Sequence, residues 1–436
     1  MLQKTDKQIY SLIKKEEKRQ QEKLVLIPSE NYTSLAVRQA LGSVLTHKYS
    51  EGEPGKRYYQ GNEFVDQIEK LANCRALKVF ALSEKKWHVN LKAVSASIAN
   101  LAVITGVLEP GEKIMAMDLT HGGHLSHGWK LPSGKSVSFS SKIFKVCFYG
   151  VEKKTQVFNY DKILKLAKQE KPKLLISGGT AYPREINHKK MAAIAHQVGA
   201  LYLADIAHEA GLVAAQVNKS PFPWADVVTM STQKTLRGPR GAIIICKKEL
   251  AKQIDRAIFP SLQGGPFNHV IAAIAVCLKE ANTAKFKNYQ KQVIKNARVL
   301  ADELKKYGFH LVSGGTDKHL ILIDLRGPTC RDAIYRVSKK RGDAINGVST
   351  KHGLDGHTAA VLLDKAGLVT NKNTVPFETG SAVKPSGIRI GTPAVTSRGM
   401  REKEMKQITK WIFEILIENK NPASVLREVK RMTKNF

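Results

Sequence analysis

Cysteine is scarce in this chain, and long apolar runs are absent. Five cysteines in 436 residues, Cys74, Cys147, Cys246, Cys277 and Cys330, stand far apart and lack the close pairing of a zinc site. Several fall in apolar runs, so they read as buried thiols of a reducing, cytoplasmic compartment and not as a disulfide framework. No segment is long and apolar enough to span a bilayer, and residues 4–23 are charged with no apolar signal core. That segment reads as a helical arm suited to packing on a neighbouring subunit. Acidic residues are short as well: 38 Asp and Glu face 70 Lys and Arg, a formal net charge of +32. The lysines are spread along the whole sequence, the pattern of a lysine-rich solvated surface. Such a surface would also attract polyanions, nucleic acid among them, through nonspecific phosphate contacts. No RNA-recognition pattern, internal repeat or low-complexity tract accompanies it.

What is present is a large α/β pattern. A single core rarely grows beyond about 250–300 residues, so two domains are expected. Apolar strands alternate with helical segments through the first part, among them Lys113-Ile114-Met115-Ala116-Met117, Lys173-Leu174-Leu175-Ile176-Ser177 and Gly241-Ala242-Ile243-Ile244-Ile245-Cys246. This alternation implies a largely parallel sheet covered by helices. A lysine-rich helix over residues 286–305 leads into His319-Leu320-Ile321-Leu322-Ile323-Asp324. The arm and large domain are therefore expected over residues 1–281, and a smaller C-terminal α+β domain over residues 282–436.

Chemistry gathers at strand ends. The run Val227-Val228-Thr229-Met230-Ser231-Thr232-Gln233-Lys234 ends on a lysine and then turns through Gly238 and Pro239. A lysine amine becomes a nucleophile only when burial or nearby cations lower its pKa, and Arg237 and Arg240 follow closely. Asp205 and His208 close the apolar run Ala200-Leu201-Tyr202-Leu203-Ala204-Asp205-Ile206-Ala207-His208. In an open α/β sheet ligands collect at the carboxyl ends of strands, so Asp205 and Lys234 are expected to face one pocket. A carboxylate that keeps a pyridine nitrogen protonated, together with a Schiff-base lysine, is the binding signature of pyridoxal phosphate. Ser95-Ala96-Ser97 precedes a helical run from Ile98 to Leu108, where unpaired amides and the helix dipole favour a phosphate. An ordinary N-cap fits the same residues. No metal-ligand spacing is found.

The chain resembles the serine hydroxymethyltransferase family, fold-type I pyridoxal phosphate enzymes. The resemblance runs from Leu26-Ile27-Pro28-Ser29-Glu30-Asn31-Tyr32 through Tyr49-Ser50-Glu51-Gly52-Glu53-Pro54-Gly55-Lys56-Arg57-Tyr58-Tyr59 and His121-Gly122-Gly123-His124-Leu125-Ser126-His127-Gly128. It continues through the Asp205 and Lys234 segments, Leu262-Gln263-Gly264-Gly265-Pro266, Val312-Ser313-Gly314-Gly315-Thr316-Asp317, Asn371-Lys372-Asn373 and Ser386-Gly387-Ile388-Arg389-Ile390-Gly391. It implies a fold-type I large domain with a smaller C-terminal α+β domain. It also implies roles. Lys234 would hold the cofactor, Asp205 would pair with the pyridine nitrogen, His124 would stack on the ring and His208 would contact the ring or its substituents. Ser95, Ala96, Ser97 and Gln233 would surround the phosphate, and Thr180 keeps a hydroxyl that the family uses. Arg389 would bind the substrate carboxylate, with Ser29 and Tyr59 positioning it.

Two subunits share each site in this family. Tyr49, Glu51, Tyr58, Tyr59, Gly264 and Gly265 would thus come from the neighbour in a homodimer or dimer of dimers. Tetrahydrofolate would lie near Leu119, Leu125 and Asn373, with Glu51 and Tyr58 reaching across. The implied reaction moves a one-carbon unit reversibly between serine and tetrahydrofolate, with Glu51 exchanging a proton at the hydroxymethyl oxygen.

The pattern is departed from in several places. Gln233 stands where histidine is usual and cannot become cationic. Ala96 and Ile98 replace a glycine and a polar residue of the phosphate segment. Glu53 replaces a usual aromatic, Glu209 follows His208 where an apolar residue is common, and residues 331–353 read as extra surface length. Three readings stay open: a serine hydroxymethyltransferase, a folate-independent aldolase acting on β-hydroxy amino acids, and a weakened, polyanion-binding derivative.

Overall fold

The continuous apolar runs become strands buried on both faces. A computed structural model describes residues 1–131, 133–330, 354–378, 380–381 and 383–436. The stretch read as extra length, residues 331–353, lies outside the described residues. The chain divides into two units, Asn31–Lys291 and Met1–Glu30 with Gln292–Phe436.

In the first unit, β1 (Trp87–Asn90), β2 (Lys113–Met117), β3 (Lys145–Tyr149), β4 (Leu174–Ser177), β5 (Leu201–Asp205), β6 (Val227–Ser231) and β7 (Ala242–Lys247) form one sheet. Its order is β1-β7-β6-β5-β4-β2-β3. The five strands from β6 to β3 run parallel, whereas β7 is antiparallel to both its neighbours. The sheet is largely parallel, as expected, and mixed only through β7. Residues 232–241, which join β6 to β7, are too short for the crossover that parallel neighbours require. Successive strand residues alternate between two cores: Ile176, Leu203 and Ile244 enter one, Leu175, Ala204 and Ile245 the other. That two-sided burial explains why these strands read as unbroken apolar runs.

In the second unit, β8 (His310–Leu311), β9 (Leu320–Asp324), β10 (Asn371–Asn373) and β11 (Gly387–Gly391) form an antiparallel sheet of order β8-β9-β11-β10. Ile321, Ile323, Ile388 and Ile390 join a core with the helices Gly356–Lys365, Glu402–Leu416 and Pro422–Thr433. The alternation leaves Arg389 on the other face of β11.

Met1–Glu30 belongs to this unit because Leu24 and Val25 pair in parallel with Leu368 and Val369, and the Leu26 carbonyl accepts the Gly391 N–H. The arm is helical over Lys7–Glu22, and that helix has no buried residue. The expected 281/282 boundary grouped the arm with the large domain. Here the arm groups with the C-terminal part, to which Leu24 and Val25 pair, and the division falls within the helix Ala284–Lys306.

Candidate active site

The end of β5 carries a buried carboxylate with a full set of donors. Asp205 Oδ2 accepts from Asn100 Nδ2 at 2.7 Å and from His127 Nε2 at 2.9 Å, and Oδ1 accepts from the Ala207 N–H at 2.9 Å. His127 Nδ1 is buried with no hydrogen-bond partner. An ionised carboxylate can only accept, so the His127 proton belongs on Nε2. Asn100 is itself oriented: its Oδ1 accepts from Thr229 Oγ1 at 2.6 Å, and its Nδ2 also reaches Ser126 Oγ at 2.9 Å. Ser126 Oγ in turn meets His124 Nδ1 at 2.8 Å. The network thus joins β5 and β6 to the helix Ala96–Val107 and to the 3₁₀ turn Leu125–His127. Gly178 closes one side, since a Cβ there would meet the Asp205 carbonyl oxygen at 2.2 Å.

Burial alone would raise the Asp205 pKa. The His127 hydrogen bond and charge, with the His124 ring and the Asn100 amide, outweigh it and hold the carboxyl well below the usual carboxylate range. A depressed acid pKa contributes stability that is present above the unfolded value of about 3.9 and is lost as pH falls through the folded value. Asp205→Asn is therefore expected to be less stable than the parent in urea at pH 7. That difference should shrink steadily below about pH 3.9; a constant difference down to pH 2.5 would contradict the assignment.

Lys234 lies in the turn after β6, and the turn is pinned through its main chain. Asn31 Nδ2 donates to the Lys234 carbonyl at 2.9 Å, Gln290 Nε2 to the Thr235 carbonyl at 2.6 Å, and Thr235 Oγ1 to the carbonyl of buried His208 at 2.9 Å. The two arginines read as its cationic field have other settings. Arg237 sits over the Tyr289 ring at 4.9 Å and donates to the Tyr32 carbonyl, and Arg240 is exposed. Gln233 leaves its Oε1 buried without a hydrogen-bond partner.

Ser95 caps the helix Ala96–Val107, accepting the Ile98 N–H at 3.3 Å. Ser97 is exposed and Ala96 half-buried. The Thr180 N–H donates to the Gly122 carbonyl at 2.7 Å. Leu119 is half-buried and Leu125 exposed, so neither belongs to a core.

On the surface of the same unit, Tyr59 Oη donates to Glu51 Oε2 at 2.5 Å, and the Tyr49 and Tyr59 rings meet edge to face at 6.0 Å. Tyr49 and Tyr58 are 61 % and 69 % exposed, an unusual setting for aromatics in a folded unit. Gly264 and Gly265 pack here, as a Cβ on Gly265 would come within 2.9 Å of the Tyr49 ring.

The other unit holds the remaining residues. Arg389 is 6 % exposed, donates from Nε to Asn371 Oδ1 at 3.2 Å, and burial pushes its pKa down to about 10. It remains a cation at neutral pH. Ser29 follows Pro28, against which a Cβ on Gly391 would press at 2.8 Å. Asn373 pairs with Gly387 at the start of β11.

Asn100, His127, Thr229 and Ser126 were not singled out from sequence. Their one signal is polarity at odds with setting: an asparagine inside the apolar helix, and a second histidine in the turn that carries His124. His124, His127 and Asp205 also bring three donor atoms within 4.8 Å, as a metal site would. The direct His127–Asp205 hydrogen bond instead occupies two of them with each other.

The donor set suits pyridoxal phosphate: an ionised buried carboxylate at a strand end, an imidazole bonded to that carboxylate, a lysine on the adjoining strand's turn and a capped helix start. With the mixed seven-stranded sheet, it defines the class of fold-type I pyridoxal phosphate enzymes. The sequence model of serine hydroxymethyltransferase matches residues 2–339 and 345–412, and the chain belongs to that family. Its members are pyridoxal phosphate-dependent transferases acting on serine, glycine and folate. The match also covers most of residues 331–353. Only residues 340–344 fall between the two matched parts.

Proposed function

We propose that this chain transfers the hydroxymethyl group of serine reversibly to tetrahydrofolate, giving glycine and 5,10-methylenetetrahydrofolate, with pyridoxal phosphate attached at Lys234. The observation that carries this reading is the buried, ionised Asp205 with its oriented donors. When bound, the cofactor supplies an electron sink for the bond broken at the substrate α-carbon. Asp205, kept anionic by His127 and Asn100, holds the ring-nitrogen proton that this sink needs. His124, fixed through Ser126, would pack on the cofactor ring. The helix start at Ser95, Ala96 and Ser97, with Gln233 and Thr180, binds the phosphate, and His208 holds the ring substituents.

Arg389 grips the serine carboxylate through its two-pronged donor geometry, aided by Ser29. Glu51, paired with Tyr59, takes and returns the hydroxymethyl proton. Both lie in the exposed aromatic group, which supports assembly as a homodimer or dimer of dimers in which Tyr49, Glu51, Tyr58, Tyr59, Gly264 and Gly265 complete the neighbour's site. Leu119, Leu125 and Asn373 contact the folate. The depletion of paired cysteines supports a cytoplasmic setting.

The test is serine cleavage assayed with and without tetrahydrofolate, beside threonine cleavage without folate. Glycine formation from serine should depend on tetrahydrofolate and yield methylenetetrahydrofolate in equal amount. Folate-independent cleavage of both substrates would establish the aldolase instead.

A further inference from the structure

The turn that carries Glu51 is gripped by two buried cations. Lys92 is 5 % exposed; its Nζ donates to the Gly52 carbonyl at 3.0 Å and meets Glu53 Oε1 at 2.6 Å and Glu69 Oε1 at 3.2 Å. Arg57 donates from one terminal nitrogen to the Ser50 and Gly52 carbonyls at 3.0 and 2.6 Å, and from the other to Glu69 Oε2 at 2.7 Å. Glu69, 3 % exposed, is the shared counter-ion, one oxygen to each cation. The carbonyls on either side of Glu51 are therefore both held, and that of Gly52 is held twice. The turn has no slack, since Gly52 has φ +89° and a Cβ there would meet the Lys56 carbonyl oxygen at 2.5 Å.

The main chain of the same residue is a second mount. The Lys92 carbonyl accepts Gln263 Nε2 at 2.8 Å, and the Val94 N–H donates to Gln263 Oε1 at 3.1 Å. Gln263 directly precedes Gly264 and Gly265, and Val94 directly precedes the helix cap Ser95. One short segment thus fastens both loops of the exposed aromatic group beside the helix start.

We propose that Lys92 is a positioning residue for Glu51, its buried ammonium fixing the turn so that the Glu51 carboxylate is presented in one orientation. The inference rests on the reading of Glu51 as the proton carrier. An apolar side chain would fill this site without the desolvation cost of an ammonium, so the ion network is explained by the geometry it imposes. Glu53, the acid in place of an aromatic, then has an account: it is the second counter-ion of Lys92.

The test compares the full-length parent with Lys92→Met and with the charge-balanced double variant Glu53→Gln/Lys92→Met, which serves if the single variant does not fold. In both, kcat for serine with tetrahydrofolate should fall about tenfold or more while the KM for serine moves little, as expected when a proton carrier is misplaced and the carboxylate grip is intact. Deuterium exchange should rise over residues 50–58 and stay unchanged over residues 201–205. Unchanged exchange over residues 50–58, or a rise throughout the chain, would overturn the proposal. A parent with no folate-dependent activity would overturn the reading of Glu51 alone, and the exchange over residues 50–58 would still decide whether Lys92 holds the turn.

Discussion

Replacing Lys234 by alanine is expected to lower folate-dependent serine cleavage by on the order of 10³-fold or more, because the covalent attachment has no substitute in the site. The fold should survive. The turn is held by contacts to main-chain carbonyls, from Asn31 to residue 234 itself and from Gln290 to Thr235, and the Thr235 hydroxyl reaches back to the His208 carbonyl. All three persist in an alanine variant, so the Tm should change little. Borohydride reduction followed by mass analysis separates attachment from activity. The parent should gain one reduced cofactor on the peptide containing Lys234, and the variant should gain none there. Equal labelling elsewhere in the variant, with activity retained, would contradict the assignment.

The second large effect is expected at Arg389. Burial lowers its pKa to about 10, which leaves it charged at pH 7, and its Nε donates to the neutral amide oxygen of Asn371. A desolvated cation so placed binds a carboxylate strongly. Charge-assisted bonds of about 1.5–3 kcal/mol in a two-pronged pair predict that Arg389→Ala weakens glycine binding by on the order of 10²-fold. Methylamine, which lacks the carboxylate, should bind parent and variant alike. Arg389→Lys should recover only part of the loss, since an ammonium lacks the planar fork. Glycine affinity unchanged in the alanine variant would remove Arg389 from the substrate site.

Strands were readable from sequence where both faces are buried: β2, β4 and β9 appear within a residue of their apolar runs. Ser95 was readable as a helix cap because capping is local chemistry. The Asp205 network was not, because Asn100, His127 and Thr229 come from segments more than twenty residues apart and meet only through the sheet. The antiparallel direction of β7 was hidden for a related reason, as a buried run carries no sign of which way it pairs. Pairing of Leu24 with Leu368 across the length of the chain left the arm's place beside the C-terminal part equally hidden. Glu53 looked like an isolated oddity until Lys92 was found against it. For Asn100, His127 and Glu53 polarity marked the residue and only the fold supplied its partner.

The most direct measurement of the central claim is the visible spectrum of the full-length protein with pyridoxal phosphate and glycine, recorded before and after tetrahydrofolate is added. The account predicts a protein-bound cofactor band that shifts with glycine and gains a strong long-wavelength component only when folate is present, because cofactor, carboxylate and folate sites act together. A bound-cofactor band that ignores folate would contradict folate-dependent transfer. Absence of any bound band with Lys234 intact would contradict the cofactor site itself.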